Sequence, residues 1–386
     1  MARPIYLDHA ATTPVREAVL EAMLPFFGPR FGNPSSVHRW GRDARVALDD
    51  ARARLAACIG ARPDEITFTS GGTEADNLAI LGAWAAAAGT GRRAVVTTPI
   101  EHKAVLAAVH AAAAQGAEER MLPVDATGCV SLDAFLTALG DDVAVCSIMW
   151  VNNEIGTIQP IPDLAALAAA HGVVFHTDAV QAFGKVPIDA AVQQFDLLTI
   201  SGHKIGAPKG IGALYTRRGT RLAPLLYGGS QERGRRAGTE NVALAVGFAK
   251  AAELAVAERE TECERLRVLR DMLETELRSR IPDAVVNGLG SPRAPHVLNI
   301  SVPGADSESL LMALDLAGVA CSSGSACQSG SVTPSHVLTA LGVDPELATC
   351  SIRMSLGALT TPDDIGYVAQ LFPALIDKAR GLAAVS

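Results

Sequence analysis

Lys204 lies in the stretch Ser201-Gly202-His203-Lys204-Ile205-Gly206-Ala207-Pro208-Lys209-Gly210, directly after the short apolar run from Phe195 to Ile200. That run reads as a buried strand, and Gly206, Pro208 and Gly210 keep the residues after it from continuing as a helix. The lysine is therefore expected on a loop at a strand's carboxyl end, the edge of an open α/β sheet where ligands bind. Held there partly out of water, a lysine loses proton affinity and becomes able to form a Schiff base with an aldehyde. A solvated surface lysine is the plain alternative, so its meaning depends on what else reaches the same edge.

Asp178 closes a second strand-like run, Val173 to Thr177, and neighbouring strands can bring it to Lys204. A carboxylate that keeps a pyridine nitrogen protonated, opposite an imine-forming lysine, is the minimum equipment of pyridoxal-phosphate chemistry. The same two residues would also serve as a structural ion pair. His102 stands at the end of the strand Ala94 to Thr98, where an imidazole can stack on a ring and move protons. Gln181, Ser201 and His203 can donate hydrogen bonds to a phenolate oxygen or a phosphate. Gly71-Gly72-Thr73-Glu74 joins the strand Glu65 to Ser70 to a helix through Asn77, Ile80 and Trp84, which presents unpaired backbone N–H groups to a phosphate. It lacks GxGxxG, so the dinucleotide fingerprint is not met.

A second focus is Cys321-Ser322-Ser323-Gly324-Ser325-Ala326-Cys327-Gln328-Ser329-Gly330-Ser331, small and polar throughout. Such a composition predicts a mobile loop on which the Cys327 thiolate can travel to a bound substrate and on to an acceptor, whereas free cysteines are generally buried. Cys321, nearer a strand, reads as packing. Arg353 follows a strand-like segment and can grip a carboxylate in bidentate fashion.

The elements that must position these residues alternate. Strands are expected at Glu65 to Ser70, Ala94 to Thr98, Met121 to Val124, Val143 to Met149, Val173 to Thr177, Phe195 to Ile200 and Ile211 to Thr216, with polar residues at their carboxyl ends. This regularity predicts a mostly parallel sheet with helices on both faces. Ala44, Leu48, Ala51, Leu55 and Ile59 share one helical face, and Thr13-Pro14 is placed to cap a helix from about Val15. A long helical connector, Val242 to Arg280, leads to a smaller α/β part with strands near Val297 to Val302, Val319 to Ser322 and Ser351 to Leu356. Its helices are expected at Ser307 to Leu316 and Thr361 to Ala379.

Composition bounds the rest. The chain has 386 residues, 49% of them hydrophobic, and carries a net charge of −8, so a folded protein of about two domains is expected and nucleic-acid binding is disfavoured. No run reaches membrane-span length and the first residues lack an apolar signal core, which predicts a cytoplasmic protein. The 7 cysteines form no CxxC pair and no metal-ligand spacing, so free thiols and no metal are expected.

Taken together, these motifs resemble those of the cysteine desulfurases, the NifS/IscS-like group of the class V aminotransferase superfamily. The resemblance runs from Tyr6-Leu7-Asp8-His9-Ala10-Ala11-Thr12-Thr13 through Ser70 to Glu74, Glu101-His102-Lys103, Val151 to Gly156, His176 to Gln181, Ser201 to Lys204, Glu232 to Thr239 and Ser322 to Cys327. It implies a fold type I pyridoxal-phosphate enzyme with a mostly parallel seven-stranded sheet. Residues 15–255 would form the large cofactor-binding domain, and 1–14 with 256–386 the small domain. Lys204 would carry pyridoxal 5'-phosphate, Asp178 would pair with its ring nitrogen, and His102 would stack on the ring. Asn153 and Gln181 would face the O3′ side, with Asn153 also near the substrate. Gly72, Thr73, Ser201 and His203 would hold the phosphate, joined by Thr239 from the second copy of a homodimer. Arg353 would bind the carboxylate of L-cysteine, and Cys327 would take the sulfur as a persulfide, releasing L-alanine. The sulfur would pass to an acceptor such as an iron–sulfur scaffold or a tRNA-thiolating protein. A selenocysteine lyase of the same superfamily, an SxxK serine acylase reading of Ser201 to Lys204, and a non-enzymatic scaffold are the alternatives. Cys321 ahead of the loop, Cys350 beside Arg353 and the short tail after the last helix depart from the group's pattern, and a Cys321–Cys327 pairing under oxidation is conceivable.

Overall fold

A computed structural model describes residues 4–323 and 334–383. The five-residue strand Leu197–Ser201 is buried along its whole length, as its apolar and β-branched composition requires of a strand covered on both faces. It lies near the middle of a seven-stranded sheet. Across the sheet the order is Ile66–Thr69, Gly212–Thr216, Leu197–Ser201, Val174–Asp178, Val143–Ser147, Ala94–Thr97 and Glu118–Met121. Only Gly212–Thr216 runs antiparallel to its neighbours. Because Asp178 pairs in register with Thr199 on a parallel strand, Asp178 and the residues after Ser201 emerge at one edge.

Helices close both faces. Gly72–Ala86 and Lys103–Ala114 share a core with Val95, Val145, Leu197 and Leu214. On the opposite face Arg39–Ala57 buries Ala44, Leu48, Ala51 and Leu55 in the core shared with Val242–Ala257. A separate core gathers Leu7, Leu269, Leu298, Ile352 and Phe372. There the antiparallel strands Ser351–Ser355, Val297–Ser301 and Val285–Val286 pack with Arg259–Arg280, Ser307–Leu316 and Pro362–Ala383. The chain's start belongs to this second core, since Ile5–Tyr6 pairs in parallel with Val319–Ala320.

Four expectations are corrected. The run Val242 to Arg280 is two helices, Val242–Ala257 and Arg259–Arg280, meeting at Glu258. The strand expected at Met121 to Val124 is Glu118–Met121, a charged edge strand. With hydrogen-bonded pairing on one side only it needs no apolar run, and its charges discourage further pairing. The first helix begins at Glu17 rather than Val15. Thr13 does not cap it: its hydroxyl donates to the His203 carbonyl at 2.8 Å and accepts the Gly206 N–H at 2.9 Å. Among the described residues no helix is long and apolar enough to cross a membrane.

Candidate active site

After Ser201 the backbone makes a tight turn over Gly202–Lys204 and reverses into the antiparallel strand. Gly206 takes a φ of 86°, and a Cβ there would meet Arg16 Cγ at 2.5 Å, so the reversal needs glycine for both reasons. The result is a lysine turned back onto the amino-terminal segment. Lys204 Nζ donates to the carbonyls of Ala10 and Ala11, each at 2.7 Å. Burial pushes its pKa down to about 8, with Arg353 adding to the effect and Asp178 and Asp8 opposing it. The lowered value raises the share of neutral amine near neutral pH far above that of an ordinary lysine, and the neutral form is the one that attacks carbonyls.

Lys204 lines a cavity of about 430 Å³. Asp178, at the end of its strand, opens into the same cavity and accepts the Val180 N–H at 2.8 Å. Burial raises its pKa, while His102, the Val180 amide and Lys204 pull the other way. His102 caps the helix Lys103–Ala114, its Nδ1 accepting the Ala104 N–H at 3.1 Å. That bond assigns the neutral ring's proton to Nε2. The ring is surrounded by protein yet its surface opens on the cavity, and burial lowers its pKa against the pull of Asp178.

Opposite stands Arg353, 7% exposed. Its Nη1 donates to the Asn153 carbonyl at 3.1 Å and its Nη2 to Asp8 Oδ1 at 2.8 Å, leaving Nε buried without a partner. Asn153 lines the cavity, as does Gln181, whose Nε2 donates to the Ala10 carbonyl at 2.8 Å. His203 Nδ1 faces Thr12 Oγ1 at 3.2 Å, and burial with the nearby Lys204 and Lys209 pushes its pKa down to about 4.

The structure thus brings Lys204, Asp178, His102, Asn153, Gln181, Ser201, His203, Gly72, Thr73 and Arg353 around one cavity. Thr239 is exposed and does not line it. Cys327 lies outside the described residues; Ser323 and His336, the former directly before that stretch and the latter shortly after it, both line the cavity. Cys321 packs against the second core, where burial raises its thiol to about 12, an inert form. Cys350 is buried and ends the helix Pro345–Thr349.

Several residues were not singled out from the sequence. Asp8 holds the Arg353 fork. Asp76 and Glu101 are carboxyls buried beside Asp178, both raised chiefly by burial, Glu101 to about 8. His176, beneath Asp178 on the same strand, is pushed down to about 3 by burial and lies between Ser147 Oγ at 2.8 Å and Thr199 Oγ1 at 3.0 Å. The signal for Asp8 and Glu101 was their place inside the Tyr6 to Thr13 and Glu101 to Lys103 motifs; His336 carried none.

The family described as aminotransferase class-V matches residues 5–368. The chain belongs to the class V aminotransferase family. A cysteine desulfurase IscS of Dictyoglomus turgidum is 49% identical over 383 residues, 99% of this chain and 97% of that protein. The cysteine desulfurase NifS of Azotobacter vinelandii is 46% identical, covering 98% of this chain and 94% of that one. A solved NifS-like protein superposes with a TM-score of 0.89 at 34% identity over 100% of both chains.

Members of this family work with pyridoxal phosphate, and the residues here fit it. Ser201 Oγ is buried without a partner at the cavity wall. The helix Gly72–Ala86 has no side-chain cap, so its first-turn N–H groups are free for an anion. Gly212 allows that turn to lie close, for a Cβ at that position would meet Gly71 C at 2.6 Å. A phosphate would be held by this helix terminus with Thr73, Ser201 and His203. Asp178, whose carboxyl has a single backbone donor, would take the ring nitrogen's proton-bearing side.

Proposed function

We propose that the protein is a cysteine desulfurase that moves sulfur from L-cysteine to Cys327 and leaves L-alanine. The observation that carries the reading is one cavity gathering a desolvated lysine, a buried aspartate, a helix-capping histidine and a buried arginine beside the residues that flank Cys327. Bound pyridoxal phosphate supplies the sink for the electron pair left when the substrate's Cα proton departs. Arg353, oriented by Asp8 and the Asn153 carbonyl, binds the substrate carboxylate through its fork. Lys204, whose pKa burial brings down to about 8, would hold the cofactor and would take and return protons at the substrate's carbons. His102, which lines the cavity with Nδ1 committed to the helix, would stack on the cofactor ring and leave Nε2 to donate or receive a proton at the sulfur end.

The Cys327 thiolate attacks the substrate sulfur; a sulfur–sulfur bond forms as the carbon–sulfur bond breaks, and the carbon that lost sulfur gains a proton. One cysteine and one thiol thus become one alanine and one persulfide. The persulfide passes to an acceptor for iron–sulfur cluster assembly or tRNA thiolation. Thr239 reaches the phosphate from the second copy of a cytoplasmic homodimer; its exposure, and its absence from the lining of its own chain's cavity, support that reading. Residues 15–255 act as the cofactor-binding domain and 1–14 with 256–386 as the smaller domain that carries the Cys327 loop.

Purified protein should be yellow, and borohydride should fix the chromophore to Lys204 but not to a Lys204→Ala variant. Cys327→Ser should keep the colour and lose alanine formation from cysteine. Normal alanine release by Cys327→Ser would overturn the sulfur-transfer role.

A further inference from the structure

The helix terminus offered to a phosphate carries an acid of its own. Glu74 stands in the first turn of Gly72–Ala86, and its Oε2 accepts the Ser70 N–H at 2.8 Å. Ser70 lies between the strand Ile66–Thr69 and the Gly71-Gly72 turn, so this bond ties the helix back to the strand and fixes the turn between them. Glu74 does not line the catalytic cavity, which puts its carboxylate behind the phosphate cup rather than inside it. An acid in a helix's first turn is favoured by the helix dipole, but the same end would also meet a phosphate, close to a dianion at neutral pH. Like charges gathered at one helix end repel, and water screens them poorly where they are partly buried.

Arg236 answers that charge. Its Nε donates to Glu74 Oε1 at 2.9 Å and its Nη2 to Oε2 at 3.4 Å, with the two side chains 24% and 18% exposed. Burial acts to raise the Glu74 pKa, yet the hydrogen bonds from Arg236 and Ser70 hold it below the usual carboxylate range, so the acid is ionised at neutral pH. Arg236 itself is absent from the cavity lining.

The segment that delivers Arg236 is anchored to the same strand. Glu232 and Arg233 take φ of 47° and 58°, left-handed angles that residues with a side chain adopt rarely. What holds them is the Glu232 carboxylate, which accepts Arg52 Nη1 and Nη2 at 2.6 and 2.7 Å and the Phe68 N–H at 3.0 Å. Ile66–Thr69 is the last strand on its side of the sheet, so Glu232 grips its outer edge two residues before Ser70. Arg235 Nη1 adds a bond to the Asp64 carbonyl at 3.1 Å.

We propose that Arg236 is a positioning residue for the cofactor's phosphate: by cancelling the Glu74 charge, it lets Glu74 shape the phosphate turn without repelling the anion bound there. Arg236 therefore sets affinity for the phosphate group and not for the pyridine ring, and touches neither. The inference rests on a phosphorylated cofactor held at this terminus, not on sulfur transfer by Cys327.

The test titrates the full chain, stripped of cofactor, with pyridoxal 5'-phosphate and separately with pyridoxal, which has the same ring and aldehyde but no phosphate. Binding at Lys204 is read by visible absorption. Arg236→Met should weaken pyridoxal 5'-phosphate binding about tenfold and pyridoxal binding less than about twofold. Glu74→Gln on that background removes the stranded charge, keeps an oxygen for the Ser70 N–H, and should recover most of the loss. Equal weakening of both ligands would overturn the proposal, since Arg236 would then serve only the general fold. A phosphate-specific loss that Glu74→Gln does not recover would overturn it as well, because the arginine would then act on the phosphate directly. So would unchanged binding of pyridoxal 5'-phosphate by Arg236→Met. These results are read from binding alone, so they stand apart from whether Cys327→Ser loses alanine formation.

Discussion

Replacing Thr13 by valine should loosen the loop that carries Lys204 without touching the lysine. Thr13 Oγ1 closes two hydrogen bonds onto that loop, one to the His203 carbonyl at 2.8 Å and one from the Gly206 N–H at 2.9 Å. Valine matches threonine in shape but offers neither, so the Gly206 N–H loses its partner, while the His203 carbonyl keeps only the residue-13 backbone N–H at 2.9 Å. A hydrogen bond contributes about 1 kcal/mol net, and a buried group left unpaired costs about 1–3 kcal/mol. Thr13 is half-buried, so water can restore part of the loss; the expected cost to the closed loop is about 2 kcal/mol. That corresponds to a roughly 30-fold rise in local opening. Amide hydrogen exchange of residues 202–210 reads this directly, and exchange in the Leu197–Ser201 strand serves as the internal control. Thr13→Ser, which keeps the hydroxyl, should restore near-normal protection. If the valine variant exchanged within about twofold of the unaltered protein over 202–210, the claim that this hydroxyl fixes the lysine loop would be refuted.

Three further outcomes follow from the buried charges. Lys204 binds its proton less tightly folded, near pH 8, than unfolded, near its ordinary value of 10.5. Between these limits the unfolded chain carries more protons, so apoprotein stability should rise with pH from about 8 to 10.5 relative to Lys204→Met, which lacks the group; parallel denaturation curves across that window would contradict it. His176, held neutral down to about pH 3, should make stability fall as pH drops from 6.5 toward 3, and His176→Gln should flatten that limb of an acid titration. Arg52 and Glu232 form a buried bidentate pair at 2.6 and 2.7 Å; Arg52→Met strands the carboxylate and should cost about 3–5 kcal/mol in denaturant unfolding, with Glu232→Gln on that background recovering part of the loss.

Much of the site was readable because its residues obey local rules. Lys204 and Asp178 end short buried runs, so strand ends could be found from hydrophobic patterning alone. The Gly71-Gly72 turn announced a helix terminus, and His102 stood before an Ala-rich helix it proved to cap. The edge strand Glu118–Met121 escaped because one-sided pairing left it without the apolar run that marks an interior strand. Thr13 was misread for a related reason: a threonine before a proline satisfies every local condition for a cap, yet two loop groups from beyond residue 200 compete for its hydroxyl and win.

What the sequence by itself determined was the kind of chemistry on offer: an amine, a carboxyl, an imidazole and a thiol, each placed by strand or loop grammar that acts over a few residues. Tertiary structure decided their state. Asp8 reaches Arg353 across most of the chain, burial draws the lysine toward pH 8, and Ala10 and Ala11 supply the carbonyls on which Nζ rests. Proton affinity and hydrogen bonding depend on which atoms are near and how much water is excluded, and those are properties of the folded space that neighbouring positions in the chain do not encode.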